Sequence, residues 1–140
     1  MPELERIRVP DQLPEPISHY TDGVVAGGFV FVSGMLALDK DGKMVGGDDV
    51  VKQAERVHEN LNAVLARAGA SFDDVVKVGV YLRRIDDRAA VNTVRKRYFG
   101  DSRPASTLVE VSAFVVPDAL VEIDAVARIP QPSSQGGRRS

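Results

Sequence analysis

The chain has 140 residues, 18 of them Lys or Arg against 20 Asp or Glu, a formal charge of −2, and no cysteine. That length suits one domain around one core, the balanced charge without a block of either sign speaks against a nucleic-acid partner, and the missing thiols exclude disulfides, thiolate nucleophiles and cysteine-rich zinc sites. No apolar run reaches membrane-spanning length and the N-terminus lacks the basic start and apolar stretch of a secretion signal, so the expectation is a cytoplasmic protein with no membrane partner.

Residues 1–16, with Pro2, Pro10, Pro14 and Pro16, read as an extended arm docked on a surface. From Gly23 the text "GVVAGGFVFVSGMLAL" turns to strand, with Gly27-Gly28 as the turn between two short strands. Phe29, Phe31 and Ser33 then share one face, and Val30, Val32 and Gly34 the other. The segment "DKDGKMVGGDD" is turn chemistry, with Asp41-Gly42 able to reverse the chain. Asp48 or Asp49 caps a helix to about Ala68, because Val51, Ala54, Val57, Leu61, Val64, Leu65 and Ala68 recur at spacings of three and four. Gly69 stops it.

"SFDDVVKVGVYL" alternates, placing Val76, Val78, Val80 and Leu82 on a buried side and Lys77, Gly79 and Tyr81 on the other. A second helix, about Arg88 to Phe99, carries Val91, Val94 and Tyr98 as its apolar stripe and Arg88, Arg95, Lys96 and Arg97 on its other face, and it ends at Gly100. Two strands follow, roughly Thr107–Phe114 and Leu120–Arg128, around Pro117-Asp118. Residues 17–130 thus make a single domain, and the polar tail 131–140 reads as disordered.

The order strand, strand, helix, strand, helix, strand, strand suits an α+β fold: a mixed sheet with both helices on one face. In "LVEIDAVARI" the small and branched residues Val121, Ile123, Ala125 and Ala127 meet the helices, which turns Glu122, Asp124, Val126 and Arg128 the other way. A second face that mixes aliphatics with charge suggests burial against other subunits rather than free solvent.

Chemistry-bearing groups are few. His19 and His58 lie far apart and share no metal-ligand spacing, so no metal is expected. "GGFVFVSG" lacks the strand-loop-helix context and the lysine of a phosphate loop, which removes a nucleotide reading. What remains is a carboxylate in a strand, Glu122, which on pattern alone is an outward-facing or interface residue, together with scattered hydroxyls and amides.

Four stretches taken together, "SHYTDGVVAGGFVFVSGML", "QAERVHENLNAVLARAGASFDDVVKVGVYL", "DRAAVNTVRKRYF" and "RPASTLVEVSAFVVPDALVEIDAVA", resemble the Rid family, also called YjgF, of small reactive enamine and imine deaminases. The resemblance runs from about Ser18 through Ala127. It implies a chorismate-mutase-like fold of the Bacillus type with a six-stranded sheet, assembled as a homotrimeric barrel with a small-molecule pocket at each subunit interface. The implied reaction is a cofactor-free hydrolysis of 2-imino acids. In that picture a carboxylate of the last strand, here Glu122, handles the attacking water, and tyrosine, serine and asparagine side chains, here Tyr20, Ser33 and Asn92, complete the pocket.

The family's arginine, which follows the Pro-Ala pair and forks onto the substrate carboxylate, is replaced here by Ser106, with Thr107 beside it. A guanidinium grips a carboxylate with two charge-assisted bonds where a serine offers one neutral bond. The difference, roughly 1.5–3 against about 1 kcal/mol, weakens an unaided 2-imino acid by an order of magnitude or more. Arg103, three residues upstream in a loop, is the compensating candidate. Two functions follow: a hydrolase of some small imine or enamine, or a non-catalytic trimer of the same shape that binds a metabolite or a protein partner.

Overall fold

The computed structural model describes residues 4–131. Within them six strands form one sheet, in the order β1-β2-β3-β6-β4-β5. The strands are β1 (Glu5–Ile7), β2 (Gly23–Ala26), β3 (Phe29–Met35), β4 (Val75–Leu82), β5 (Ala105–Glu110) and β6 (Val121–Arg128), and the helices are α1 (Val50–Arg67) and α2 (Arg88–Phe99). All neighbours run antiparallel except β4 and β5, which are parallel. Parallel neighbours need a crossover, and α2 is that crossover.

Helix α1 starts where Asp49 accepts hydrogen bonds from the backbone N–H groups of Val51 and Lys52, and its C-terminal end is followed by Gly69 in the left-handed region at φ 85°. Its expected stripe is buried: Ala54, Val57, Leu61, Val64 and Leu65 are inaccessible. They pack over Val30 and Val32 of β3, Val78 and Val80 of β4, and Ile123 and Ala125 of β6, which form the core on one face of the sheet. The helices cover that face only, as the α+β expectation required.

Four details depart from the sequence reading. The described part of the arm is built into the sheet, with β1 paired to β2 and Ile7, Val9 and Leu13 buried in the core. Val76 is exposed although the alternation placed it inside; a 3-10 turn over Phe72–Asp74 leads into an irregularity between Val75 and Lys77, and Val75 takes the buried position instead. The strand expected over 107–114 runs over Ala105–Glu110, because its partner β4 stops at Leu82, whose carbonyl makes the last backbone bond, to Val111 N–H. Beyond it the chain leaves the sheet, and Phe114 and Val116 pack on a small separate cluster of Leu36, Leu38 and Ala119. Val51, Ala68 and Tyr98, expected in the apolar stripes, only flank the main core. The tail expectation, apart from Gln131, lies outside the described residues, and among them no helix is long and apolar enough to cross a membrane.

One irregularity shapes the open face. Val32 pairs with Ala125 and Met35 with Ile123, so Ser33 and Gly34 together oppose Asp124 alone. This bulge turns Gly34 toward the uncovered side, away from Val30 and Val32, whose face strict alternation gave it.

Candidate functional site

Glu122 and Asp124 leave β6 on the uncovered face, two residues apart, as strand alternation dictates. Asp124 is pinned: its Oδ1 accepts the Gly79 N–H at 3.0 Å and its Oδ2 accepts the Tyr81 hydroxyl at 3.0 Å. Gly79 leaves the room for this, since a Cβ there would come within 2.7 Å of Asp124 Oδ1. Gly34 does the same for Glu122, because a Cβ at 34 would collide with the Glu122 carboxylate.

The two carboxylates differ in what holds them. Glu122 is half-buried and accepts no hydrogen bond from any described residue. Burial, and then the neighbouring Asp124, push its carboxyl above the usual range. The Tyr81 phenol is pushed up as well, first by its bond to Asp124 and then by burial, so it stays protonated. A carboxyl raised in this way, with no partner among the described residues, is suited to take and return a proton.

Ser33 donates to the Thr21 carbonyl at 2.6 Å and so ties the strand to the segment that carries Tyr20. Tyr20 is 47% exposed and shares with Gly34 a recess of about 40 Å³, room for a water rather than a metabolite.

The remaining expected residues lie elsewhere. Asn92 of α2 and Arg103 of the following loop line an open cleft of about 740 Å³, together with Arg95, Lys96, Asp101 and Pro104. Ser106 is on the helix side of β5, where its hydroxyl accepts a hydrogen bond from Arg95 Nη2 at 3.1 Å. Thr107, one residue on, faces the opposite side and accepts from Lys77 Nζ at 3.1 Å.

The expected residues therefore fall into two groups within one chain. Ser106 pairs with Val78, which pairs with Ala125, three residues from Glu122. At about 4.8 Å per strand and 3.3 Å per residue, the Cα atoms of Ser106 and Glu122 are about 14 Å apart, on opposite faces. Sequence reasoning had placed Arg95 on the outer face of α2 and Asp124 on the open face without assigning either to the site, and it had read Tyr81 only as a strand residue. The signal for Arg95 was its position one turn before the helix end, with a short loop returning the chain beneath it.

The family model described as Endoribonuclease L-PSP matches residues 11–129. A RutC family protein of Pyrococcus abyssi is 44% identical over 118 residues, covering 84% of this chain and 91% of that one. The 3-aminoacrylate deaminase RutC of Acinetobacter baylyi is 37% identical over 125 residues, covering 89% and 98%. Among solved structures, a conserved Rid family protein, YyfA of Yersinia pestis, superposes with a TM-score of 0.84 at 32% identity over 91% of this chain and all of that one. With the same sheet, the same two helices and a match over nearly its whole described length, the chain belongs to the endoribonuclease L-PSP family, the Rid or YjgF and RutC group of proteins.

Proposed function

We propose that the protein hydrolyses a small reactive imine or enamine to the carbonyl compound and ammonia, without a cofactor, in clefts between the subunits of a homotrimer. The observation that carries the reading is Glu122: half-buried, raised in pKa beside a pinned Asp124, and unbonded among the described residues. An enamine first takes a proton on carbon and gives one up from nitrogen to become the imine. Water then adds to the imine carbon as Glu122 accepts its proton, and the protonated Glu122 returns that proton to nitrogen. The amino alcohol collapses to a carbonyl as ammonia leaves. Family membership with a 3-aminoacrylate deaminase 37% identical supports this reaction class, since 3-aminoacrylate is itself an enamine.

The assembly is supported by the open face. Phe29, Phe31 and Val109 are 39%, 46% and 41% exposed there, an apolar surface that calls for cover. A second copy is also what would bring the Ser106 edge of one chain to the Glu122 face of another, because the sheet keeps them apart within a chain.

The test is ammonia release from freshly generated imines. Glu122→Gln should lower turnover by about 10²-fold or more, and native and variant proteins that are equally inert on every imine would refute catalysis. Ser106 in place of the family arginine favours a second reading, a trimer that binds a metabolite without turning it over. That reading predicts thermal stabilisation by a ligand and no product.

A further inference from the structure

Three arginines of the described chain are half-buried: Arg8, Arg56 and Arg95. Arg8 sits on the carboxylates of Asp22 and Glu15. Arg56 donates to the carbonyls of Leu38 and Gln12. Arg95 has a single neutral partner, the Ser106 hydroxyl, and among the described residues no carboxylate lies within ion-pairing distance of it. Two residues along the same helix, Arg97 reaches Glu55 at 2.7 Å. Partial burial without neutralisation costs stability, and burial alone pulls the Arg95 guanidinium below its ordinary pKa. Such a group is suited to pair with an anion.

Its surroundings fit that role. The cleft it lines also presents Lys96 and Arg103 against one carboxylate, Asp101, and adds the Asn92 amide as a neutral donor. Its volume is that of a small-molecule site. The Ser106 hydroxyl engages one Nη2 hydrogen and leaves the rest of the planar fork free, and a two-oxygen anion is the geometry that fork matches.

We propose that Arg95, delivered from α2 and steadied by Ser106, binds the carboxylate of a small 2-oxo or 2-imino acid in the cleft lined by Asn92 and Arg103. This deepens the reading of the protein as an imine hydrolase, and rests on it for the identity of the acid. The missing strand arginine is then a relocation of charge rather than a loss: the guanidinium comes from the helix, and the serine that stands on the strand orients it. Inorganic phosphate offers similar oxygens but a tetrahedral array, so it is the rival anion.

The experiment is calorimetric titration of the full-length protein with 2-oxobutanoate, with 2-butanone as its neutral counterpart and with inorganic phosphate. The wild type should bind 2-oxobutanoate more tightly than phosphate and 2-butanone not measurably. Arg95→Gln should weaken 2-oxobutanoate at least tenfold, Arg95→Lys should recover part of the loss, and Ser106→Ala should weaken it by a few-fold. Unchanged affinity in Arg95→Gln, tighter binding of phosphate, or no binding of the oxo acid by the wild type would overturn the proposal. Because the titration needs no turnover, the two readings fail separately. Glu122-dependent ammonia release with Arg95-independent binding removes this inference alone, and Arg95-dependent binding with no ammonia from any imine removes only the hydrolase.

Discussion

The two faces of the sheet are built from alternate residues of the same strands, and they solve opposite problems. On the covered face the strand residues beneath α1, Val30, Val32, Val78, Val80, Ile123 and Ala125, are aliphatic and buried, and the buried polar groups there, Gln53, His58 and Asn60, belong to the helix. Gln53 and Asn60 are spent on backbone groups of the loops around them. On the uncovered face one carboxylate has no hydrogen-bond partner among the described residues, a second is pinned by a tyrosine, and aromatic side chains meet solvent. The centre of one face is satisfied within the chain; the other leaves a carboxylate and aromatic side chains open. The packed core and the open carboxylates are thus separated by the thickness of one strand, so a substitution on one face should leave the other nearly intact.

The largest effect that would sharpen this contrast is on the covered side. Leu61→Ala removes a fully buried side chain from the middle of α1 and should cost about 2–5 kcal/mol in chemical denaturation. A loss below about 1 kcal/mol would mean that this face is not the core the packing indicates.

Next comes a pH effect confined to the same side. His58 is buried, donates from Nδ1 to the Ala54 carbonyl at 2.8 Å, stacks on Tyr98 with centroids 4.9 Å apart, and has an Nε2 with no partner among the described residues. Burial lowers its pKa from 6.5 to about 4. The unfolded chain therefore takes up the proton first, and the stability this ring contributes is present in full above about pH 6.5 and lost as the pH falls toward 4. At about 1.4 kcal/mol per pH unit the loss is on the order of 3 kcal/mol. His58→Phe should flatten the stability profile over that window relative to the native protein. Parallel profiles for the two would show that His58 is not the titrating group.

The smallest effect on folding belongs to the open face. Phe31→Ser removes an aromatic side chain that is 46% exposed and should change the stability of the isolated fold by less than about 1 kcal/mol. The same change should weaken self-association in sedimentation. A variant that assembles like the native protein would break the contrast, because the open face would then need no cover.

Much of this fold is legible in the sequence where local chemistry acts alone. The spacing of Ala54, Val57, Leu61 and Val64 and the cap at Asp49 suffice for α1, and the alternation through Val121, Ile123, Ala125 and Ala127 suffices for β6 and for the outward turn of Glu122. Legibility fails where one element depends on another. Val76 is misplaced because a turn outside the strand resets its parity, β5 is cut short because β4 ends, and β1 is hidden among prolines because only its pairing with β2 makes it a strand. The site follows the same rule. Glu122 is readable from its strand, whereas the bond between Arg95 and Ser106 exists only because a loop of a few residues folds β5 back beneath α2.

The bulge at Ser33-Gly34 carries a last consequence. The carboxylate of Glu122 occupies the volume that any side chain at position 34 would need, so a single methyl group there is enough to evict it. The fold itself does not ask for that glycine: Gly34 lies at φ below zero, a backbone region open to every residue. Position 34 is therefore a dial for the placement of Glu122 with almost no hand on the architecture, and in a relative the residue found there would report whether that carboxylate still stands in the same place.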